Sequence, residues 1–235
     1  NCFEAFVADS FAGSWRADWV ANRLIAHGQM CETIIVGVGN GREARMAEYL
    51  PPYASFRFYP QRKGRSRALL RGEADRTARY YQEDVRPYLA ENFRIRAGRE
   101  HTATVGSSMG GLFSWYLAFD HPEFARAHAA MSSTFWITND GHGHLRALTR
   151  LQEMPRRDLR LWLDSGEGQN RPGGSDDNKY VTMEAREALL EAGYEEGRDF
   201  VYHLAEGARH HETDWAARLD LVFRYLMPPR ELKPS

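Results

Sequence analysis

Cysteine is almost missing from this chain: Cys2 and Cys31 are the only two among 235 residues. Two thiols cannot make a disulfide framework, and neither lies in a C-x-x-C pattern. They read as free thiols, which favours a cytoplasmic setting. Long hydrophobic runs are missing too, and nothing approaches the length of a membrane span. Charge of one sign is absent, with 31 Lys and Arg against 32 Asp and Glu and a net charge of -1. Nothing global therefore favours nucleic acid or an anionic membrane as partner. No repeat, low-complexity tract or interdomain linker is visible, nor is a signal peptide, although the start of the chain looks incomplete. What remains is 43% hydrophobic and 27% charged. That composition fits a globular protein, and the length predicts one domain over 1–235 with a full core.

Periodicity predicts alternating strands and helices. Ser14 reads as an N-cap, with a helix to His27 that carries Trp15, Trp19, Val20 and Leu24 on or near one face and closes at Gly28. Glu32 to Val38 is β-branched and predicts a buried strand. It runs into Gly37-Val38-Gly39-Asn40-Gly41, which lacks the third glycine of a dinucleotide fingerprint because Arg42 stands there. This stretch reads as a loop at a strand's carboxyl end, where α/β proteins place their sites, with Asn40 as a candidate substrate-binding residue. Pro51 to Gly72 reads as a basic loop, with Arg57, Arg62, Lys63, Arg65, Arg67 and Arg71 among Phe56, Phe58 and Tyr59. A long helix over Glu73 to Asn92 would turn Tyr80, Tyr81, Val85, Tyr88 and Leu89 inward. Further strands are expected at 127–133, 159–164 and 199–204, with helices over 179–193 and 213–227. Strands alternating with helices predict a mostly parallel sheet covered on both faces.

The stretch that carries chemistry is His101 to Gly111. A β-branched run ends in Gly106-Ser107-Ser108-Met109-Gly110, which is G-x-S-x-G, and a helical pattern of Leu112, Phe113, Tyr116, Leu117 and Phe119 follows at once. Strand, tight turn and helix form the setting of a nucleophile elbow. Small residues two before and two after the serine let backbones pass closely around a strained turn. The turn lifts the Ser108 hydroxyl out of the sheet. It leaves the Met109 N–H at a helix N-terminus, as an oxyanion donor.

A serine hydroxyl needs a base, and the base an orienting acid. In elbow enzymes the chain order is serine, acid, histidine, which discards His27 and His101. His203 falls inside a strand; His210 and His211 lie in the loop beyond it. Asp164, Glu167, Asp176 and Asp177 are the acid candidates, Asp177 first and Glu167 second, against the alternative that Asp176 and Asp177 merely cap the next helix. Asp140, His142 and His144, with His210 and His211, are the only material for a metal site. They match no known ligand spacing, and neither a metal nor another cofactor is expected. Phe135 and Trp136, at the exit of a small-residue strand, suggest an apolar wall, with Trp136 as a candidate substrate-binding residue.

These residues resemble the "putative esterase" branch of the α/β-hydrolases, which holds enterochelin, feruloyl and acetyl-xylan esterases, esterase D-type enzymes and mycolyltransferases. The matching stretches are Val38 to Gly41 with Arg45 and Glu48 to Pro51; Gly106 to Gly111; Met131 to Ser133 with Phe135 and Trp136; Asp164 to Gly166 followed by Asp176 to Asn178; and Glu206-Gly207 through His210, Glu212 and Trp215. They run in family order over nearly the whole chain. The resemblance implies a three-layer αβα α/β-hydrolase fold with Ser108 as nucleophile and Met109 as one oxyanion N–H. The final loop resembles G-x-x-H-N-E-x-x-W, which implies His210 as base and puts His211 at the usual Asn. The loop before the helix implies Asp177 as acid. In the family a second oxyanion N–H comes from a pattern like H-D-G-Q-N, whose end Asn1 to Glu4 resembles. The strand that would precede it, between the Glu32–Val38 strand and the elbow strand, is not in this sequence. A preceding segment, or a partner copy in a homo-oligomer, would then complete the sheet.

The resemblance implies hydrolysis of a small-molecule carboxylic ester through an acyl-enzyme, without a cofactor. Feruloyl, siderophore-type and short acyl esters are all compatible. Acyl transfer of the mycolyltransferase type and a non-catalytic binding module on the same fold are the alternatives.

Overall fold

A computed structural model describes residues 5–10, 13–58, 68–169 and 176–229. The stretch Asn1 to Glu4 and the basic residues Arg62, Lys63, Arg65 and Arg67 lie outside the described residues. The heart of the molecule is a four-stranded parallel sheet of β3 (Ala103–Ser107), β4 (Ala127–Met131), β5 (Arg160–Gly166) and β6 (Phe200–Ala205) in the order β3-β4-β5-β6. Ala103 lies opposite Ala127, Ala127 opposite Arg160, and Leu161 opposite Phe200. The strands are short and rich in small or branched residues, and successive side chains enter opposite faces. On β5, Leu161 and Leu163 join one core and Trp162 the other.

Helices cover both faces. On one lie α1 (Ala17–Ala26) and α9 (Leu219–Leu226), packed through Leu24, Leu219 and Val222. On the other lie α5 (Met109–Asp120) and α7 (Lys179–Glu191), packed through Leu112, Trp115, Ala185 and Leu189. Helix α5 is buried on nearly every side. Its Trp115 meets Phe119 and Phe135 with ring centroids 4.7 and 4.9 Å apart. Each of its large apolar side chains contributes about 1.5–3 kcal/mol by leaving water.

Several expectations are corrected. Glu32 to Val38 forms no strand. Its side chains alternate, with Ile35 packed on the core while Ile34 and Val36 remain 47% and 44% exposed. A ladder needs a partner on the adjoining edge, and β3 pairs only with β4 among the described residues. The stretch expected as a basic loop contains an antiparallel hairpin, β1 (Ser55–Phe58) with β2 (Ala68–Arg71). The long helix expected over 73–92 is present without a break, as α3 (Ala74–Tyr80), one wide π turn (Tyr81–Val85) and α4 (Arg86–Asn92). Pro87 lacks an N–H and crowds the carbonyl four residues back, at Glu83 inside the wide turn. Tyr80 and Tyr88 consequently face solvent, while Tyr81 packs edge-on against Phe113. Ser14 does not cap α1 directly; its hydroxyl accepts the Arg16 N–H one turn early, and exposed Trp19 lies between Arg16 and Arg23. The last helix is interrupted into α8 (Glu212–Ala216) and α9, which turns Arg218 into the interior.

Candidate active site

The site is assembled at the carboxyl edge of the sheet, where each strand hands over to a loop or helix. Ser108 follows β3 directly at φ 56 and ψ -120, a backbone conformation that only a tightly constrained turn imposes on a non-glycine residue. A Cβ on Gly106 would lie 2.2 Å from the Gly110 carbonyl oxygen. The glycine before the serine is thus a steric necessity. Gly110 itself would gain a Cβ in open space, so the expectation that both flanking positions must be small holds for Gly106 only. Gly111 takes up the second constraint: its Cβ would meet the Ser133 hydroxyl at 2.4 Å. Met109 opens α5, whose first N–H groups lack partners within the helix.

Ser108 and His210 line one cavity of about 2060 Å³. His210 Nδ1 lies 2.7 Å from Asp177 Oδ1. A carboxylate accepts, so Nδ1 carries the proton and Nε2 is the basic nitrogen. The Trp215 ring stands edge-on to the imidazole at 4.8 Å and fixes its plane. Asp177 is wholly buried. Its Oδ2 accepts the Ser132 hydroxyl at 2.6 Å and the Gly166 N–H at 2.5 Å.

The neighbouring candidates have other roles. His211 caps α8, accepting the Thr213 N–H at its Nδ1. His203 lies on β6 opposite Asp164 and packs on Trp162. Glu167 pairs with Lys179 at 2.8 Å, out toward solvent. Asp164 is buried and accepts from Trp162 Nε1 and Arg218 Nη2. Asn40 and Trp136 are not among the residues lining the cavity of Ser108 and His210. Asn40 Oδ1 instead closes a local turn onto the Arg42 N–H, and Trp136 stands edge-on to Phe56 at 5.9 Å. Asp140 accepts the main-chain N–H groups of His142 and His144, and no group of three metal-ligating side chains exists among the described residues. No helix of the described residues is long and apolar enough to cross a membrane.

Residue reasoning missed Ser132 and Arg218. Ser132 sits at φ 43 after β4 and is buried. Its hydroxyl donates to Asp177 and accepts from Trp215 Nε1 at 2.9 Å and Arg218 Nη2 at 2.8 Å, which uses its full capacity. An arginine in a helical pattern carries no local signal that it turns inward.

The family described as "Putative esterase" matches residues 2–226. The chain belongs to this esterase family. Among solved structures, an IroE-like serine hydrolase from Shewanella oneidensis superposes with a TM-score of 0.68 at 20% identity, over 90% of this chain and 66% of that one. A ferulic acid esterase gives 0.62 at 19% identity, over 91% and 77%. The enterobactin esterase FES from Shigella flexneri, solved with 2,3-dihydroxy-N-benzoyl-glycine, gives 0.59 at 18% identity, over 87% of this chain but only 46% of that one. A search of curated proteins finds no match. The chain is thus an esterase by family, and its parallel strands with helices on both faces share the fold of these solved structures.

Proposed function

We propose that this esterase cleaves its substrate through Ser108, His210 and Asp177 by way of an acyl-enzyme. The observation that carries the reading is the 2.7 Å His210–Asp177 hydrogen bond, on a histidine that shares a cavity with the elbow serine. Ser108 Oγ attacks the ester carbonyl carbon while His210 Nε2 takes the hydroxyl proton. Asp177 holds the imidazole in the right tautomer and offsets the imidazolium charge. The Met109 N–H donates to the tetrahedral oxyanion. Collapse breaks the carbon–oxygen bond to the alcohol, which leaves with the proton from His210. Water, deprotonated by the same nitrogen, then attacks the acyl-serine and frees the acid. The half-buried free thiol of Cys31 supports a reducing, cytoplasmic setting.

Hydrolysis of p-nitrophenyl acetate, with a feruloyl ester as second probe, tests the reading beside Ser108→Ala and His210→Ala. Each variant is expected to lose about 10³-fold or more in kcat. A parent chain without esterase activity, or a Ser108→Ala variant as active as the parent, would sink it and favour a binding role.

A further inference from the structure

Behind the His210–Asp177 pair lies a second carboxylate that the proposed reaction does not use. Asp164 and Asp177 are both fully buried, and both are hydrogen-bonded to Ser132, Asp164 Oδ1 through its backbone N–H at 3.3 Å and Asp177 Oδ2 through its hydroxyl at 2.6 Å. Arg218 reaches both from the break between α8 and α9. Its Nη2 lies 2.9 Å from Asp164 Oδ1, 2.8 Å from Ser132 Oγ and 3.4 Å from Asp177 Oδ2, and its Nη1 donates to the Asp214 carbonyl at 3.0 Å. Its side chain is only 4% exposed. Two buried carboxylates that share Ser132 and one guanidinium nitrogen disfavour each other's charge unless a cation balances them.

We propose that Arg218 is a positioning residue: its buried guanidinium, paired with Asp164, balances the second carboxylate so that Asp177 stays an anion facing a neutral His210. This rests on the proposed role of Asp177 and His210. With Arg218 in place, the resting cluster carries one net negative charge. When His210 takes the serine proton the cluster becomes neutral, so the charge change of the reaction is matched by a group already fixed in the fold. Without Arg218 the cluster would hold two negative charges and draw in one extra proton, either on His210 or between the aspartates. The first place removes the base, and the second removes the negative charge that supports the imidazolium. Other charged or titratable groups on the same elements are His203, opposite Asp164 in the β5–β6 register, the Asp214–Arg209 ion pair and the Glu167–Lys179 pair.

The test is a set of four proteins: parent, Arg218→Met, Asp164→Asn and the double variant. Two readings are taken from each. One is kcat/KM against pH for p-nitrophenyl acetate; the other is the titration of the His210 ring protons by NMR, assigned with His210→Asn. Arg218→Met should move the acid limb and the ring titration up by about one pH unit, with kcat/KM roughly tenfold lower below the limb and recovering at high pH. Asp164→Asn should move both down. The double variant, which replaces the ion pair by neutral groups, should return close to the parent. A purely structural role would lower stability in all three without opposite shifts. Single variants that leave both readings in place, or a double variant that keeps the shift of Arg218→Met, would overturn the proposal. Should Arg218→Met fail to fold, Asp164→Asn and the double variant decide: a downward shift that the double cancels supports it, and no shift in Asp164→Asn refutes it. The NMR titration needs no turnover, so an inactive parent would sink the proposed function and leave this balance separately measurable.

Discussion

The two sides of the sheet are built to different standards. From β4 to β6, four buried polar side chains are tied together: Ser132, Asp164, Asp177 and Arg218 form a network in which the serine hydroxyl is fully used. At the other side, β3 offers an edge without a strand beyond it among the described residues, and Ile34 and Val36 face outward across the cavity. Ser108 sits where the two regimes meet. The difference teaches that the buried charges next to His210 belong to the closed side, while the open side borders the cavity that Ser108 lines.

The largest expected effect lies on the seam. Gly106→Ala places a methyl carbon 2.2 Å from the Gly110 carbonyl oxygen, against main chain that cannot swing aside. A loss of about 4 kcal/mol or more follows, or no recoverable folded protein, by urea denaturation. A variant within about 1 kcal/mol of the parent would show that β3 is as loose on its inner side as on its open edge.

His128, on β4 in the closed side, carries the next effect. Burial pushes its imidazole down from 6.5 to about 4, while the Ala125 carbonyl pulls the other way. Nε2 lies 3.0 Å from that carbonyl, which can only accept, so the proton is on Nε2 and Nδ1 accepts the Thr104 hydroxyl at 2.8 Å. The fold thus holds a neutral, satisfied ring. Between about pH 6.5 and 4 the unfolded chain binds a proton that the folded one refuses. The contribution is therefore complete above the unfolded value and is lost as pH falls through this window, by about 3 kcal/mol. Unfolding free energies of the parent and His128→Gln across pH 4–8 should converge by that amount at the acid end, and parallel curves would contradict a neutral buried ring.

The same comparison explains what was legible in the sequence. The four strands β3 to β6, their helices and the elbow follow from local pattern, whereas the choice of His210 over His211 and of Asp177 as acid rests on the family resemblance. Glu32 to Val38 has the composition of a buried strand, yet whether it pairs depends on a neighbour that composition does not encode. Arg218 and Ser132 acquire their roles only where three segments converge. Asn40 and Trp136 stand out in the sequence only by their positions after apolar runs, and the turn onto Arg42 and the edge-on contact with Phe56 are local features that such positions do not announce.

The smallest effect tests the open side itself. Ile35 packs on the core formed with Met30, Leu219 and Val222, whereas its neighbour Ile34 is exposed. Truncating a half-buried isoleucine should cost about 1–2 kcal/mol, and truncating an exposed one no more than about 0.5 kcal/mol. Ile35→Ala and Ile34→Ala, compared by urea denaturation, therefore separate the two faces by a margin well above the error of the measurement. If Ile34→Ala is as costly as Ile35→Ala, the face that looks outward is covered in solution, and the open edge of β3 is closed by polypeptide seated in the cavity. A near-neutral Ile34→Ala leaves that edge bare, and the contrast between the two sides then stands as a property of the folded chain.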